Sequence, residues 1–280
     1  MTRLPAQGAD ALDVARETYR SISLYSPNRA PAAIDLSDNT NLWGVPPAAQ
    51  RAISAAASGI VTRYPALYAA DVKEAIARYA GVPQEMVVTG CGSDDVLDST
   101  IRAFGEPGDV VAYPEPSFAM IPIFAQMNGL IGAPIPLTAG NDADADRYIA
   151  TNATISYLCS PNNPTGASFS RDAIETVASG VDGILIIDEA YAEFARWNCL
   201  DLLARFPRLV ITRTLSKAFG LAGLRVGYAL GDPALVAEIE KSRGPYKVNA
   251  IAQHAAVAAL TEDRTWVEQH VSDAIANRDR

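Results

Sequence analysis

Five short apolar runs constrain the fold of this chain more than any other feature of its sequence. They are MVV at 86–88, DVVAY at 109–113, TISYLC at 154–159, GILIID at 183–188 and LVITR at 209–213. Segments with amphipathic helix periodicity lie between or before them, at 71–80, 94–104 and 171–179. Short apolar strands that alternate with helices are typical of a mainly parallel sheet with helices on both faces. We therefore predict an α/β fold.

Clusters of polar residues accompany the carboxyl ends of four of these runs. The clusters are TGCGSDD at 89–95, SPNNPTG at 160–166, DEAY at 188–191 and TLSK at 214–217. The carboxyl ends of parallel strands lie at one edge of a sheet, and ligands of such folds bind at that edge. We therefore expect the four clusters to converge on one crevice, which is the candidate site.

Composition narrows the classes of function. The 280 residues include 23 lysines and arginines against 32 acidic residues, and the net charge of −9 disfavours a nucleic-acid-binding surface. No apolar run is long enough to cross a bilayer, and the first residues lack a secretory signal. The cysteines and histidines show no metal-binding spacing and fit a reducing compartment. We predict a cytoplasmic protein that acts on small molecules, without metal, nucleic-acid or membrane partners.

Two of the clusters suggest a bound phosphate and a buried charge. A glycine-rich turn that opens a helix, as at 90–95, offers free backbone N–H groups to a phosphate, and we predict Ser93 as the N-cap. A capped helix start without any ligand remains the alternative. Asp188 ends a buried strand, so its carboxylate requires a cation, either a protonated ring nitrogen of a cofactor or a structural arginine. The Asn163 amide can donate a hydrogen bond to a ring oxygen.

Lys217 lies in an apolar, glycine-rich segment that also contains Arg225. Burial and a neighbouring cation both favour the neutral amine, so we predict a lowered pKa for Lys217 and nucleophilic chemistry toward carbonyl groups. A nucleophilic lysine, a phosphate-binding helix start, an acid and an amide for a ring are together the requirements of pyridoxal 5'-phosphate. Ser216 and Arg225 would add contacts to the phosphate.

The motifs SPNNPTG, DEAY and TLSKAFGLAGLRVGY resemble the signatures of fold-type I pyridoxal-phosphate aminotransferases, and within these the histidinol-phosphate aminotransferase family is the most similar. DNTNLWG at 38–44, RYP at 63–65 and GPYKVNAIAQ at 244–253 are similar to further motifs of that family. The resemblance covers roughly residues 20 to 280. It implies a large domain built on a mostly parallel seven-stranded sheet, a homodimer, and pyridoxal 5'-phosphate as the cofactor.

The resemblance also implies roles for individual residues. Lys217 would hold the cofactor covalently and move the proton at the substrate's α-carbon. Asp188 would keep the ring nitrogen protonated, while Tyr191 and Asn163 would bind the ring oxygen. The other cofactor-binding residues would be Gly92, Ser93, Asp94, Phe118, Ser216, Arg225 and, from the neighbouring subunit, Tyr64. The substrate-binding residues would be Tyr25, Asn41 and Asn163.

The resemblance further implies a division of the chain. Residues 1–45 would form an N-terminal arm, 46–250 the large cofactor-binding domain, and 251–280 the start of an interdomain helix and of a small domain. We expect the remainder of that small C-terminal domain to be missing, together with the arginines that bind the acidic groups of the substrate.

The reaction expected from the resemblance is transamination of histidinol phosphate with the 2-oxoglutarate/glutamate pair, in histidine biosynthesis. Two alternatives remain open: a lyase similar to the threonine-phosphate decarboxylases, and a remnant that binds the cofactor without turnover. A nucleotide-dependent dehydrogenase is disfavoured, because no G-x-G-x-x-G motif follows the first apolar run.

Overall fold

A seven-stranded sheet forms the centre of the protein. The structure is a computed structural model that describes residues 14–23, 33–34, 36–56 and 59–280. The strands are β1 (Val87–Cys91), β2 (Val110–Glu115), β3 (Ile131–Pro136), β4 (Ile155–Cys159), β5 (Ile184–Asp188), β6 (Leu209–Thr214) and β7 (Val226–Gly231). Their order across the sheet is β1-β7-β6-β5-β4-β2-β3.

The sheet is mostly parallel, as the resemblance implied. Strands β3, β2, β4, β5 and β6 run parallel to one another, while β7 is antiparallel to both β6 and β1. The five apolar runs correspond to β1, β2, β4, β5 and β6. The edge strand β3 carries prolines at 134 and 136 and is largely exposed, which is why it shows no apolar run.

Helices cover both faces of the sheet. The described residues form α1 (Glu17–Arg20), α2 (Pro47–Ala56), α3 (Ala70–Ala80), α4 (Gly92–Phe104), α5 (Met120–Met127), α6 (Ala145–Ala150), α7 (Arg171–Gly180), α8 (Pro233–Lys241), α9 (Ala250–Glu262) and α10 (Arg264–Arg278). The three helices predicted from periodicity are confirmed as α3, α4 and α7. Side chains cap several of them: the Ser170 hydroxyl accepts from the backbone N–H of Ala173, and Asn249 accepts from that of Ala252.

Strand β5 shows why the runs are apolar throughout. Ile184 and Ile186 pack into the core on one face of the sheet, and Leu185 and Ile187 pack into the core on the other. Successive side chains of a strand point to opposite faces, so a strand covered on both faces loses the polar–apolar alternation of a half-exposed one. Only Asp188, the last residue of this strand, is charged, and it lies at the edge where the site forms.

Helices α2 and α9 pack together beside the sheet and share a polar anchor. The carboxylate of Asp263 accepts hydrogen bonds from the backbone N–H groups of Ala48 and Ala49, at 2.9 and 3.0 Å. These N–H groups begin α2 and have no partner within the helix, so a buried carboxylate both satisfies them and interacts favourably with the helix dipole. None of the helices in the described residues is long and apolar enough to span a membrane.

Candidate functional site

The four polar clusters lie around one cavity at the carboxyl edge of the sheet. The cavity has a volume of about 180 Å³. Its lining includes members of every cluster: Ser93, Asp94, Asn163, Asp188, Ala190, Tyr191, Thr214, Ser216 and Lys217, with Phe118, Cys159 and Arg225. The expected convergence on one crevice is therefore confirmed. A larger cavity of about 780 Å³ adjoins the same residues Asn163, Tyr191 and Lys217 on the outer side.

Asp188 forms a buried acidic floor to the smaller cavity. Its side chain is 3% exposed. One carboxylate oxygen accepts hydrogen bonds from the Ala190 N–H at 3.1 Å and the Thr212 hydroxyl at 3.2 Å, and the other accepts from the Tyr157 hydroxyl at 2.9 Å. Burial raises the pKa of Asp188 to about 6, and these donors oppose the rise. No described residue forms an ion pair with this carboxylate, so a cationic ligand is the partner that it lacks.

Lys217 faces the same cavity. Its amine donates a hydrogen bond to the carbonyl oxygen of Asp38 at 2.9 Å and lies 5.7 Å from the centre of the Tyr191 ring. Burial lowers the pKa of Lys217, and the positive charge of Arg225 lowers it further, while Asp38 and Asp94 act in the opposite direction. The direction predicted from the sequence is confirmed, and the cause is the one expected. A partly buried amine of this kind is a nucleophile.

Glycine and arginine shape the end of the cavity at α4. Gly92 has a φ of +82°, and a Cβ at this position would collide with the guanidinium of Arg225. The Arg225 guanidinium donates to the carboxylate of Asp94 at 3.0 Å. Backbone N–H groups at the start of a helix, next to an arginine, form an arrangement that binds a phosphate.

The prediction that Ser93 caps this helix is wrong. Helix α4 begins at Gly92, so its N-cap is Cys91, and Ser93 lies within the first turn. No side chain among the described residues makes a cap hydrogen bond to this helix; the Asp95 carboxylate instead accepts from the backbone N–H of Cys91 at 2.9 Å and pairs with Lys247 at 2.8 Å. The Ser93 hydroxyl is consequently not required for the helix and remains beside the cavity.

The SPNNPTG loop uses its two asparagines differently. Asn162 is buried and holds the loop: its amide donates to the Pro116 carbonyl at 3.0 Å and to the Thr165 hydroxyl at 2.9 Å, and its oxygen accepts from Ser117 at 2.7 Å. Asn163 lines both cavities. Asn162 therefore has a structural role, and Asn163 is the member of the pair that can contact a ligand.

A segment near the N-terminus closes the outer side of the site. The Asn39 amide donates to the Tyr191 hydroxyl at 3.0 Å, and the Asn41 amide donates to the Ala218 carbonyl at 3.0 Å. Asn41 also lines the larger cavity. Asn39 was missed from the sequence, and the only signal for it was its place in the same DNTN motif.

Two further expected site residues, Phe118 and Tyr64, differ in their place relative to the smaller cavity. Phe118 lines the smaller cavity from a partly buried position. Tyr64 does not line it: the side chain is 83% exposed and stacks on Tyr246, with 4.9 Å between ring centres. Tyr25 lies outside the described residues. No group of three or more His, Cys, Asp or Glu side chains in the described ranges is placed to hold a metal ion.

Comparison with known proteins identifies the family. The family model for aminotransferase class I and II matches residues 31–280. The chain belongs to the class I and II aminotransferases. This aminotransferase is 34% identical, over 94% of its length, to histidinol-phosphate aminotransferase 1 of Trichormus variabilis, of which it covers 76%. It is 37% identical, over 95% of its length, to an aromatic amino acid aminotransferase of Corynebacterium diphtheriae, of which it covers 79%.

A solved structure agrees with this assignment. The histidinol-phosphate aminotransferase of Sinorhizobium meliloti, crystallised in complex with pyridoxal-5'-phosphate, superimposes on this aminotransferase with a TM-score of 0.81 and 27% sequence identity. The match covers 86% of this chain and 67% of that one. The fold predicted from the sequence is thus confirmed, and the aminotransferase is similar to proteins whose names indicate two different kinds of substrate.

Proposed function

We propose that this aminotransferase binds pyridoxal 5'-phosphate in the 180 Å³ cavity and uses it to transfer amino groups. The observation that carries the proposal is the pairing, across one cavity, of a buried carboxylate without a cation, Asp188, and an amine with a lowered pKa, Lys217. The residues present fit this cofactor. When bound, pyridoxal 5'-phosphate supplies a ring that accepts electrons from the substrate's α-carbon.

Each side of the cavity suits one part of the cofactor. Asp188 would pair with the protonated ring nitrogen, and this ion pair would satisfy its buried charge. Asn163 and Tyr191 would bind the ring oxygen, and Phe118 would stack on the ring. The phosphate would be bound by the backbone N–H groups of Gly92, Ser93 and Asp94, which begin α4, and by the side chains of Ser93, Ser216 and Arg225.

Lys217 is the proposed catalytic residue. Its amine would form the covalent attachment to the cofactor and, once released by the incoming substrate, would take and return the proton at the α-carbon. A lowered pKa suits both tasks, because more of the amine is neutral near pH 7. The Asp38 carbonyl, which accepts from this amine, orients it in the cofactor-free protein.

We propose histidinol phosphate as the amino donor and 2-oxoglutarate as the acceptor. The name of the Trichormus relative supports this choice, as does Arg196 in the wall of the larger cavity. The Arg196 guanidinium contacts no carboxylate in the described part of the chain, so it is available to the phosphate or carboxylate of a substrate. Residues Asn41 and Asn163 line the same cavity and would contact the substrate.

An aromatic amino acid is the second candidate substrate. The Corynebacterium relative carries that name, and Trp43 and Trp197 give the larger cavity two indole walls. Steady-state rates with histidinol phosphate, phenylalanine and phosphothreonine separate the candidates. The proposal expects kcat/KM to be highest for histidinol phosphate. A higher value for phenylalanine would favour the second candidate, and carbon dioxide released from phosphothreonine would indicate a decarboxylase.

We also propose a homodimer in which Tyr64 reaches the phosphate of the neighbouring subunit. The support is a set of exposed apolar side chains: Val61, Tyr64 and Leu67, which are near one another in the sequence, and Tyr246, which stacks on Tyr64. Such a group is typical of an interaction site. Light scattering of the purified protein would test the dimer.

We further propose that the chain is divided into an arm at 1–45, a large domain at 46–250 and the start of the small domain at 251–280, and that the protein is cytoplasmic.

The cofactor proposal is tested by titrating the protein with pyridoxal 5'-phosphate and recording absorbance spectra. The wild type is expected to develop a protein-bound absorption band that sodium borohydride removes. Lys217→Ala should lose that band, whereas Lys241→Ala, which removes an exposed lysine paired with Glu238, should keep it. An unchanged band in Lys217→Ala would exclude Lys217 as the point of attachment.

A further inference from the structure

Tyr157 is a buried residue of β4 to which the proposed mechanism assigns no role. It lies in the middle of an apolar run, is fully buried, and does not line either cavity. Its hydroxyl nevertheless donates a hydrogen bond to Asp188, at 2.9 Å. This bond reaches one oxygen of the carboxylate, and the other oxygen is held by Ala190 and Thr212.

The three donors together fix the carboxylate in one orientation. Two of them, the Ala190 N–H and the Thr212 hydroxyl, bind the same oxygen, so Tyr157 is the sole described donor to the second oxygen. A carboxylate held at one oxygen alone can rotate about its Cβ–Cγ bond. A donor at each oxygen removes that freedom and directs the remaining lone pairs to the side from which a ligand arrives.

The hydroxyl also favours the ionised carboxylate. A hydrogen bond donated to a charged acceptor stabilises the charged form, and it does so more strongly where water is excluded. Tyr157 remains a donor throughout, because burial keeps the pKa of its own hydroxyl well above the usual range. Asp188 can therefore be charged at neutral pH although no cation of the described residues forms an ion pair with it.

We propose that Tyr157 is a positioning residue for the cofactor ring: it orients Asp188 and keeps it ionised, and thereby sets the pH range over which the ring nitrogen is held. The inference rests on the proposed function. It differs from the roles assigned above because Tyr157 acts through Asp188 and never contacts the ligand.

Several other groups face Asp188 and must be considered in a test based on pH. Besides Tyr157, these groups are Cys159 of β4, Thr212 of β6, Asp94 of α4, and Tyr191 and Lys217 in the cavity wall. Burial raises the pKa of the Cys159 thiol and of Tyr191, so neither loses a proton in the acid range. Asp94 is paired with Arg225 and raises the pKa of Asp188 by repulsion.

The experiment measures the binding of pyridoxamine 5'-phosphate between pH 5 and 8.5. This probe has the same ring and phosphate as the proposed cofactor but forms no covalent bond with Lys217. The variant is Tyr157→Phe. The matched control is Tyr148→Phe, because Tyr148 is equally buried and its hydroxyl donates to the main-chain oxygen of Tyr157, at 3.0 Å, rather than to Asp188.

Removal of the Tyr157 hydroxyl should raise the pKa of Asp188, so the acid side of the binding profile should move to higher pH. We expect a shift of about one pH unit, with binding roughly tenfold weaker at pH 5, roughly fivefold weaker at pH 6 and much less affected at pH 8.5. Tyr148→Phe should follow the wild-type profile within twofold. A merely structural role would weaken binding equally at every pH, and that result, or no change in Tyr157→Phe, would overturn the inference.

Two further variants make the test independent of folding. In Asp188→Asn no carboxylate titrates, so adding Tyr157→Phe should cause no additional shift of the profile; an equal shift in both backgrounds would contradict the inference. Replacement of Tyr157 by 3-fluorotyrosine keeps the shape and strengthens the donor, so the acid side should move to lower pH, and an unmoved profile would count against it. If the wild type binds no probe at any pH, the proposed function fails, and the inference fails with it.

Discussion

Two neighbouring acids at the end of β5 have opposite surroundings. Asp188 and Glu189 are equally buried, at 3% and 2% exposure. Glu189 has a full set of charged and polar partners: Arg213 donates to it at 2.6 and 2.9 Å, and the Cys199 N–H donates at 2.6 Å. Among the described residues, Asp188 has neutral donors alone. The comparison shows that one acid is neutralised by a described arginine and that the other has no such cation, which agrees with the proposed cofactor site.

The same contrast separates two arginines. Arg213 is buried against Glu189, while Arg196 lies in the wall of the larger cavity without a carboxylate partner in the described residues. Removing one partner of a buried ion pair is strongly destabilising because it leaves the other charge uncompensated, whereas charges without partners are available for recognition. The predictions below test this division, beginning with the variant that should be most damaging.

The largest effect is expected from Glu189→Gln. This substitution leaves the buried guanidinium of Arg213 without its closest acid, so the free energy of unfolding should fall by about 3–5 kcal/mol. Urea denaturation of the cofactor-free protein measures it. Asp188→Asn is the matched control and should leave the free energy of unfolding at neutral pH unchanged or raise it, since it removes a buried charge that has no cation among the described residues. Equal destabilisation by both variants would remove the distinction between the two acids.

The second prediction concerns pH. The pKa of Asp188 is raised to about 6 in the folded protein, so between about pH 4 and pH 6 the folded state binds a proton that the unfolded state has released. The contribution of Asp188 to stability is therefore favourable at low pH and is lost as the pH rises through 6. In the cofactor-free protein this loss should amount to about 3 kcal/mol, obtained by subtracting the pH dependence of Asp188→Asn. Identical curves for the two proteins would contradict the raised pKa.

Cofactor affinity should be affected more by the substitution of Asp188 than by that of Glu189, the reverse of their effects on stability. Asp188→Asn removes the partner of the ring nitrogen and should weaken binding of pyridoxal 5'-phosphate by about 2 kcal/mol, roughly thirtyfold. Folded Glu189→Gln protein should bind within about threefold of the wild type, because Glu189 does not line the cavity. Equilibrium dialysis at low temperature measures both. A stronger loss in Glu189→Gln would show that the arginine pair also supports the site.

The smallest effect belongs to Arg196→Gln. An exposed guanidinium that binds an anionic substrate contributes about 1 kcal/mol, so KM for histidinol phosphate should rise roughly fivefold with kcat nearly unchanged. Arg171, which is already engaged by Asp201 and Glu175, provides the control: Arg171→Gln should leave KM unaltered. Unchanged KM in Arg196→Gln would exclude it from substrate recognition.

The sequence predicted those features that repeat or that belong to a motif. The alternating runs predicted five strands and the convergence of the polar clusters, and the apolar setting of Lys217 predicted the direction of its pKa shift. Strands β3 and β7 were implied only by the resemblance, since one contains prolines on the sheet edge and the other lies within the glycine-rich motif.

Long-range pairing could not be predicted. The letters DE in DEAY do not reveal that Arg213 reaches the second acid and not the first, because the choice depends on the register of β5 against β6. Nothing in the sequence indicated that Tyr157, which lies within an apolar run, donates a hydrogen bond to Asp188, because that contact also depends on how the strands pair. Ser93 was the expected cap on residue type alone, whereas the helix begins at Gly92, which makes Cys91 the N-cap.

The central claim is that Lys217 and Asp188 face one bound pyridoxal 5'-phosphate. The most direct measurement is borohydride reduction of the protein with this compound, followed by peptide mapping by mass spectrometry. The account predicts one stoichiometric adduct, on the peptide that contains Lys217, with a yield that falls in Asp188→Asn and is unchanged in folded Glu189→Gln protein. An adduct spread over several surface lysines, or one that is indifferent to Asp188→Asn, would contradict it.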